Sequence, residues 1–151
     1  VDDLNNHLML FFTGVSRFSS QIAESQMSNM KNCNFQMNEL YEMVDEGISI
    51  LSNINTPISE FGKLLHQAWK NKKTLSNMVS NSEINNLYDS ALRAGAEGGK
   101  ILGAGGGGFI LFFVKPENQI KVKKVLSNLT FVPFKFENSG SKVALYQPNG
   151  L

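Results

Sequence analysis

Four consecutive glycines, Gly105 to Gly108, run straight into the apolar block Phe109 to Val114 in the stretch "GGKILGAGGGGFILFFV". With Gly103 and Ala104 the run satisfies the spacing G-x-G-x-x-G. In a dinucleotide-binding fold that loop follows a strand and opens a helix, so that the pyrophosphate meets the helix N-terminus. Here the order is reversed, with a helical pattern before the glycines and a strand-like block after them. A Walker A loop would place Lys-Ser/Thr directly behind the last glycine, where Phe109-Ile110 stands. A protein-kinase glycine loop would need His-Arg-Asp and Asp-Phe-Gly further on, and neither is present. What is left is a strand-to-strand hairpin, Lys100-Ile101-Leu102 against Phe109-Ile110-Leu111, whose tip is nearly free of side chains. Such a tip can turn successive N–H groups toward one point as an anion-binding nest, or it can be a tight turn packed against a neighbour. Ordering four glycines is entropically costly, which favours a use that needs bare backbone. Lys100 supplies a positive charge nearby.

Upstream, Leu8 to Thr13 ("LMLFFT") is a continuous apolar run closed by Gly14, the pattern of a strand buried on both faces or lying in a sheet covered by helices. A helix is predicted after it, with Ser16 as its N-cap and Phe18, Ile22, Ala23 and Met27 at helical spacing. From Met37 to Ile54, the residues Leu40, Met43, Val44, Ile48, Leu51 and Ile54 form the stripe of an amphipathic helix. Thr56 as N-cap and Pro57 at the first helical position predict the next helix, whose stripe runs through Phe61, Leu64, Leu65, Ala68, Trp69, Leu75 and Met78. Ser82 is the expected cap of another, with Ile84, Leu87, Tyr88, Ala91 and Leu92 inward. Gly95, Gly98 and Gly99 then end it or let it pack closely. Beyond the glycine loop come the strand stopped by Lys115-Pro116, a helix from about Asn118 to Leu129, and two strands, "FVPFKFE" and "KVALYQ". Pro133 makes the first of these an edge or bulged strand. The expected fold class is α+β, a mostly antiparallel sheet of about four strands covered on one face by helices.

With 151 residues, 42% of them hydrophobic and 18% charged, the chain has the size and composition of one globular domain. No apolar run approaches the roughly 20 residues that span a bilayer, and the opening "VDDLNNHLMLFFTG" lacks the features of a signal peptide. Val1 in place of an initiator Met suggests a piece of a longer protein. The lone Cys33 has neither a disulfide partner nor neighbours at metal-ligand spacing, which fits a cytoplasmic setting. Net charge is +1, yet eight acids face two bases up to Glu60, and five acids face twelve bases from Phe61 onward. A basic half suits an anionic ligand such as a phosphorylated small molecule. Without aromatic interleaving or a helix-turn-helix pattern it does not have the marks of a nucleic-acid surface.

A second constellation is "FFTGVSRFSS". The strand ends in Thr13-Gly14, and two residues on come Ser16, a hydroxyl at a helix start, and Arg17, the only base between Val1 and Met30. Hydroxyl, helix N-terminal amides and a guanidinium fork together make an oxyanion or phosphate clamp. The plainer alternative is that Ser16 only caps and Arg17 lies on the surface. His7 and His66 have no partners visible in the sequence, and Trp69 with the phenylalanines is expected in the core.

Together, "LMLFFTGVSRFSSQIAESQ", "ALRAGAEGGKILGAGGGGFILFFV" and "VPFKFENSGSKVALY" resemble the C-terminal half of the GHMP superfamily of small-molecule kinases. Within it they are most similar to the D-glycero-D-manno-heptose 7-phosphate kinases of bacterial lipopolysaccharide or capsule synthesis. The resemblance covers essentially the whole chain. "KILGAGGGGF" resembles the superfamily's third conserved motif, while "FTGVSRFSS" and "PFKFENSGS" narrow the likeness to the heptose branch. It implies that residues 1–151 are a GHMP kinase C-terminal domain of ferredoxin-like type. ATP and Mg2+ would be held mainly by an N-terminal domain with a Pro-x-x-x-Gly-Leu-Gly-Ser-Ser-Ala loop, which this sequence lacks. The chain alone is therefore expected to be inactive, with no catalytic residue and no metal ligand of its own. By position, Gly103, Ala104, Gly105, Gly106, Gly107 and Gly108 would line the cleft near the transferred phosphoryl group. Thr13, Ser16 and Arg17 would face the sugar phosphate, with Arg17 on its 7-phosphate and Lys100 close by. The implied reaction moves the γ-phosphoryl of ATP to the anomeric hydroxyl and gives the heptose 1,7-bisphosphate. The implied partners are a small-molecule sugar phosphate and the chain's own N-terminal kinase domain, with no nucleic acid and no membrane. Two alternatives stay open: another GHMP kinase acting on a different sugar or a mevalonate-type acid, and a non-catalytic phosphosugar-binding module.

Overall fold

The computed structural model describes residues 1–15, 19–141 and 143. Its sheet is assembled from the apolar blocks. β1 (Leu8–Phe12) pairs with β3 (Phe109–Val114) on one side and β4 (Thr130–Val132) on the other, and β2 (Ala96–Ile101) closes the far edge against β3. Among the described residues the order is β2-β3-β1-β4 and every pairing is antiparallel. The α+β expectation therefore holds. Side chains alternate along a strand, so register decides which residues share a face. Met9 opposes Phe112, Phe11 opposes Ile110, and Ile101 stands beside Ile110, all of them at most 1% exposed.

Helices cover that face. Trp69 of α4 (Ser59–Thr74), Ile84, Tyr88 and Ala91 of α5 (Ser82–Arg93) and Val122 of α6 (Gln119–Val125) join the inward strand residues in one core. On the other face Leu10 opposes Leu111 and Phe12 opposes Phe109, and these stay half-buried or exposed. At Leu10 and Phe12 β1 is thus buried on one face rather than both, because the core formed with the helices lies against the face of Met9 and Phe11. Phe113, on the outer side, is nonetheless fully buried, stacked on the His7 ring with centroids 5.0 Å apart. α4 covers it as well and comes so close to β2 that a Cβ on Gly98 would stand 1.9 Å from the Gly62 carbonyl oxygen. Gly98 and Gly99 therefore belong to a strand, Gly98 making room for α4 and Gly99 for the neighbouring strand at Leu111 and Phe112, while Gly95 alone marks the end of α5.

Several local expectations are corrected. A short helix, α1 (Asp2–His7), precedes β1, and α2 (Ser19–Asn29) leaves Ala23 and Met27 exposed. α3 (Asn34–Ser52) is the predicted amphipathic helix, but Val44 and Ile48 are each 58% exposed. Its stripe meets α4 instead of the core and forms an open apolar groove. α4 begins beyond Pro57, whose carbonyl accepts the Glu60 amide in the preceding turn. α5 is capped by Asn81, not Ser82: the Asn81 side chain accepts the Ile84 amide at 2.9 Å, and its extended backbone is the conformation an N-cap needs. α6 is shorter than predicted and follows a 3-10 turn at Pro116–Asn118. Of "FVPFKFE" only the start joins the sheet, since Pro133 has no N–H to give to a ladder. Lys142 and residues 144–147 of the predicted strand "KVALYQ" lie outside the described residues.

Candidate functional site

The hairpin predicted around the glycines forms with Lys100 opposite Leu111 and Ile101 opposite Ile110, and the Leu102 amide closes it on the Phe109 carbonyl at 2.8 Å. Its tip is bound on several sides. The Gly108 carbonyl accepts from the Thr13 amide at 2.8 Å and from Thr13 Oγ1 at 2.9 Å. The Gly108 amide donates to the Val15 carbonyl at 2.9 Å, and the Gly106 amide donates to the Val79 carbonyl at 2.8 Å. Gln26 Nε2 donates to the Ala104 carbonyl at 2.7 Å, and Lys72 Nζ donates to the Gly103 carbonyl. Val79 is itself fixed, fully buried at the end of a turn in which Ser76 Oγ meets Ser25 Oγ at 2.7 Å. The exit of β1, α2 and the α4–α5 turn therefore all grip one loop.

Glycine is required where the grip is tightest. A Cβ on Gly105 would lie 2.7 Å from the Val79 carbonyl oxygen, and one on Gly107 would lie 2.7 Å from that of Val15. Both residues also have positive φ, 119° and 153°. The loop is thus a close-packed turn, but with a polarity of its own. Three carbonyls, those of Gly103, Ala104 and Gly108, are tied to protein donors, while the amides of Gly103, Ala104, Gly105 and Gly107 have no hydrogen-bond partner among the described residues. Four free amides at the tip are available to an anion, beside the carbonyls of Gly105, Gly106 and Gly107, which have no donor among the described residues. The tip is not an unbroken run of free N–H groups, because Gly106 and Gly108 spend theirs inside the protein.

Of the residues singled out in the sequence, Thr13 and Gly103 through Gly108 come together here. Ser16 and Arg17 lie outside the described residues. Lys100, half-buried, points into a hollow that it shares with Lys72. Lys72 was not anticipated: it sits in the basic run "WKNKKT", and nothing local connects it to a glycine thirty-one residues away. Its pKa is pushed down to about 8, first by burial and then by the Lys100 charge. Gln26 was missed for the same reason. Beside the loop a pocket of about 220 Å³ is lined by Ile22, Asn77, Met78, Ser80, Asn81 and Gly106. His66, without a partner in the sequence, meets the Tyr88 hydroxyl at 2.8 Å within the fold. No helix among the described residues is long and apolar enough to cross a membrane.

Comparison with known proteins connects this geometry to a family. The family described as "GHMP kinases C terminal" matches residues 50–130, more than half of the chain. The chain is 28% identical over 125 residues to the D-glycero-alpha-D-manno-heptose 7-phosphate kinase of Campylobacter jejuni, covering 82% of this chain and 37% of that enzyme. It is 27% identical over 122 residues to the L-fucokinase/L-fucose-1-P guanylyltransferase of Bacteroides fragilis, covering 79% of this chain and 13% of that protein. The mevalonate kinase of Methanococcus jannaschii shares the fold, with a TM-score of 0.68 at 23% identity over 83% of this chain and 37% of its own. The chain thus spans little more than a third of the heptose kinase's length. By its sequence match and its antiparallel α+β fold, the chain belongs to the GHMP kinase C-terminal family.

Proposed function

We propose that the chain is the acceptor-side, C-terminal domain of an ATP-dependent sugar kinase, one that phosphorylates the anomeric hydroxyl of D-glycero-D-manno-heptose 7-phosphate. The observation that carries this function is the loop at Gly103–Gly108, held on three sides, with the carbonyls of Gly103, Ala104 and Gly108 tied back and four of its amides free among the described residues. Phosphoryl transfer asks a protein chiefly to position the partners and to stabilise negative charge spread over the phosphoryl oxygens. The free amides of Gly103, Ala104, Gly105 and Gly107 belong to a loop already held by Val79, Val15 and Thr13, so little reorganisation is needed when that charge develops. The similarity to a heptose 7-phosphate kinase supports the choice of acceptor. Ser16 and Arg17 are assigned to the acceptor side on the family resemblance, with Arg17 on its phosphate.

ATP with Mg2+ supplies the phosphoryl group when bound. Amides and lysines at the loop suit phosphate oxygens. Among the described residues no three His, Cys, Asp or Glu side chains are grouped to hold a metal ion, so none of them is given a part in binding Mg2+. The similarity to a fucokinase favours a second acceptor, an unphosphorylated sugar. The two are separated by an acceptor panel run with ATP on the complete polypeptide that carries this domain. Heptose 7-phosphate is expected to have the highest kcat/KM. A higher value for L-fucose or mevalonate would refute the heptose assignment, and no transfer to any acceptor would leave a binding module.

A further inference from the structure

A hollow of about 440 Å³ opens beside the glycine loop, and its lining includes Met27, Met30, Met37, Gln26, Lys72 and Lys100. Its two ammonium groups are close enough for Lys100 to depress the pKa of Lys72. Among the described residues neither lysine forms an ion pair with a carboxylate. A partly buried cation without a counter-charge is costly, and two that repel are more so. An anion lying between them relieves both costs. Each ammonium has three donors, and Lys72 uses one of them on the Gly103 carbonyl, which leaves two for a ligand. The methionine thioethers are apolar, polarisable and adaptable, a wall for carbon rather than for water.

We propose that this hollow is a binding subsite for a phosphate monoester, its dianionic head bridging Lys72 and Lys100 and its organic group lying against the methionines. The subsite is wired to the loop. Lys72 and Gln26, which line the hollow, are the side chains that hold the carbonyls of Gly103 and Ala104. A head group that draws Lys72 toward it therefore changes the hydrogen bond that sets the first half of the loop.

The test uses no turnover, so it stands or falls independently of phosphoryl transfer. The isotope-labelled chain is titrated with phenyl phosphate, glucose 6-phosphate, inorganic phosphate and sodium chloride at matched ionic strength. NMR follows the Gly103 and Ala104 amides together with the methionine methyls. Phenyl phosphate is expected to saturate both sets of signals and to bind roughly tenfold more tightly than inorganic phosphate, through the apolar surface it covers. Lys100→Gln is expected to weaken it by about tenfold or more, the worth of one charge-assisted hydrogen bond. Lys72→Gln should do the same and also move the Gly103 amide in the absence of ligand. Because Lys100 makes no hydrogen bond to a loop carbonyl among the described residues, its variant separates loss of binding from loss of loop structure. Shifts reproduced by chloride, or affinity unchanged in both variants, would overturn the subsite. Glucose 6-phosphate binding as tightly as phenyl phosphate, or methionine methyls that do not move, would overturn the apolar wall.

Discussion

Adding a single methyl group at Gly98 is expected to cost more stability than adding one to the solvent-facing glycine Gly103. The new Cβ would lie 1.9 Å from the Gly62 carbonyl oxygen, 2.8 Å from the His66 amide nitrogen and 3.0 Å from the Gly62 carbonyl carbon. All three are backbone atoms of α4, so no side chain can swing aside. Ordinary contact needs about 3.5 Å, and α4 must withdraw from β2 by more than about 1 Å, a gap that forfeits roughly a quarter to a half of each dispersion contact across it. α4 also carries Trp69, which is 0% exposed in the core. Overpacking typically costs about 1–3 kcal/mol, and outright loss of a buried aromatic about 3–5 kcal/mol. We expect Gly98→Ala to fall where these ranges meet, at about 3 kcal/mol, or a fall of roughly 6–12 °C in Tm for a domain of this size. Gly103→Ala is the control: nothing lies within 4 Å of its Cβ, and only its φ of +72° is unfavourable. Its cost should be about 1–2 kcal/mol. Urea denaturation followed by the fluorescence of Trp69, the only tryptophan, measures both. A Gly98→Ala variant within about 1 kcal/mol of the parent, or more stable than Gly103→Ala, would refute the close contact between α4 and β2.

Thr13→Val keeps the shape of the side chain but removes the Oγ1 bonds to the Gly108 carbonyl, at 2.9 Å, and from the Val15 amide, at 3.4 Å. It should cost about 1 kcal/mol and speed hydrogen exchange at Gly106 and Gly108, and unchanged exchange there would show that Thr13 does not hold the loop. His66 has its pKa lowered from the ordinary value of 6.5, chiefly by burial and further by the charges of Lys70 and Lys73, against a smaller opposing effect of Asp89. The folded protein therefore binds fewer protons at this ring than the unfolded chain. Its contribution to stability is fully present above pH 6.5 and is lost as pH falls through the lower folded value. Denaturation midpoints measured from pH 7.5 down to 5 should drop less steeply in His66→Gln than in the parent, and equal slopes would exclude His66 as a source of acid sensitivity.

Much of the scaffold was legible in the chain because its signals are local. The apolar blocks at Leu8 and Phe109 read as buried strands, and the helix-before-strand order around Gly103–Gly108 excluded the nucleotide-binding loops that share its spacing. The spacing of Ile84, Tyr88 and Ala91 named the buried face of α5 correctly, since helical period and burial depend on residues one turn apart. The stripe of α3 obeys the same period yet stays largely exposed, because period cannot say which surface a helix will meet. Caps moved by a residue or two, as at Asn81, where competing hydroxyl and amide side chains stand side by side.

The sequence by itself thus determined most of the elements, though not α1 or the start of β2, together with the pairing class and the bare backbone of the loop, all consequences of chemistry between near neighbours. Only the tertiary structure decided that Lys72 and Gln26 would hold the loop's carbonyls, that Lys100 would turn into their hollow, and that Gly62 would meet Gly98. Those contacts join residues between thirty and eighty positions apart. They depend on strand register and on the angle at which α4 crosses β2, and no local pattern of side chains encodes either.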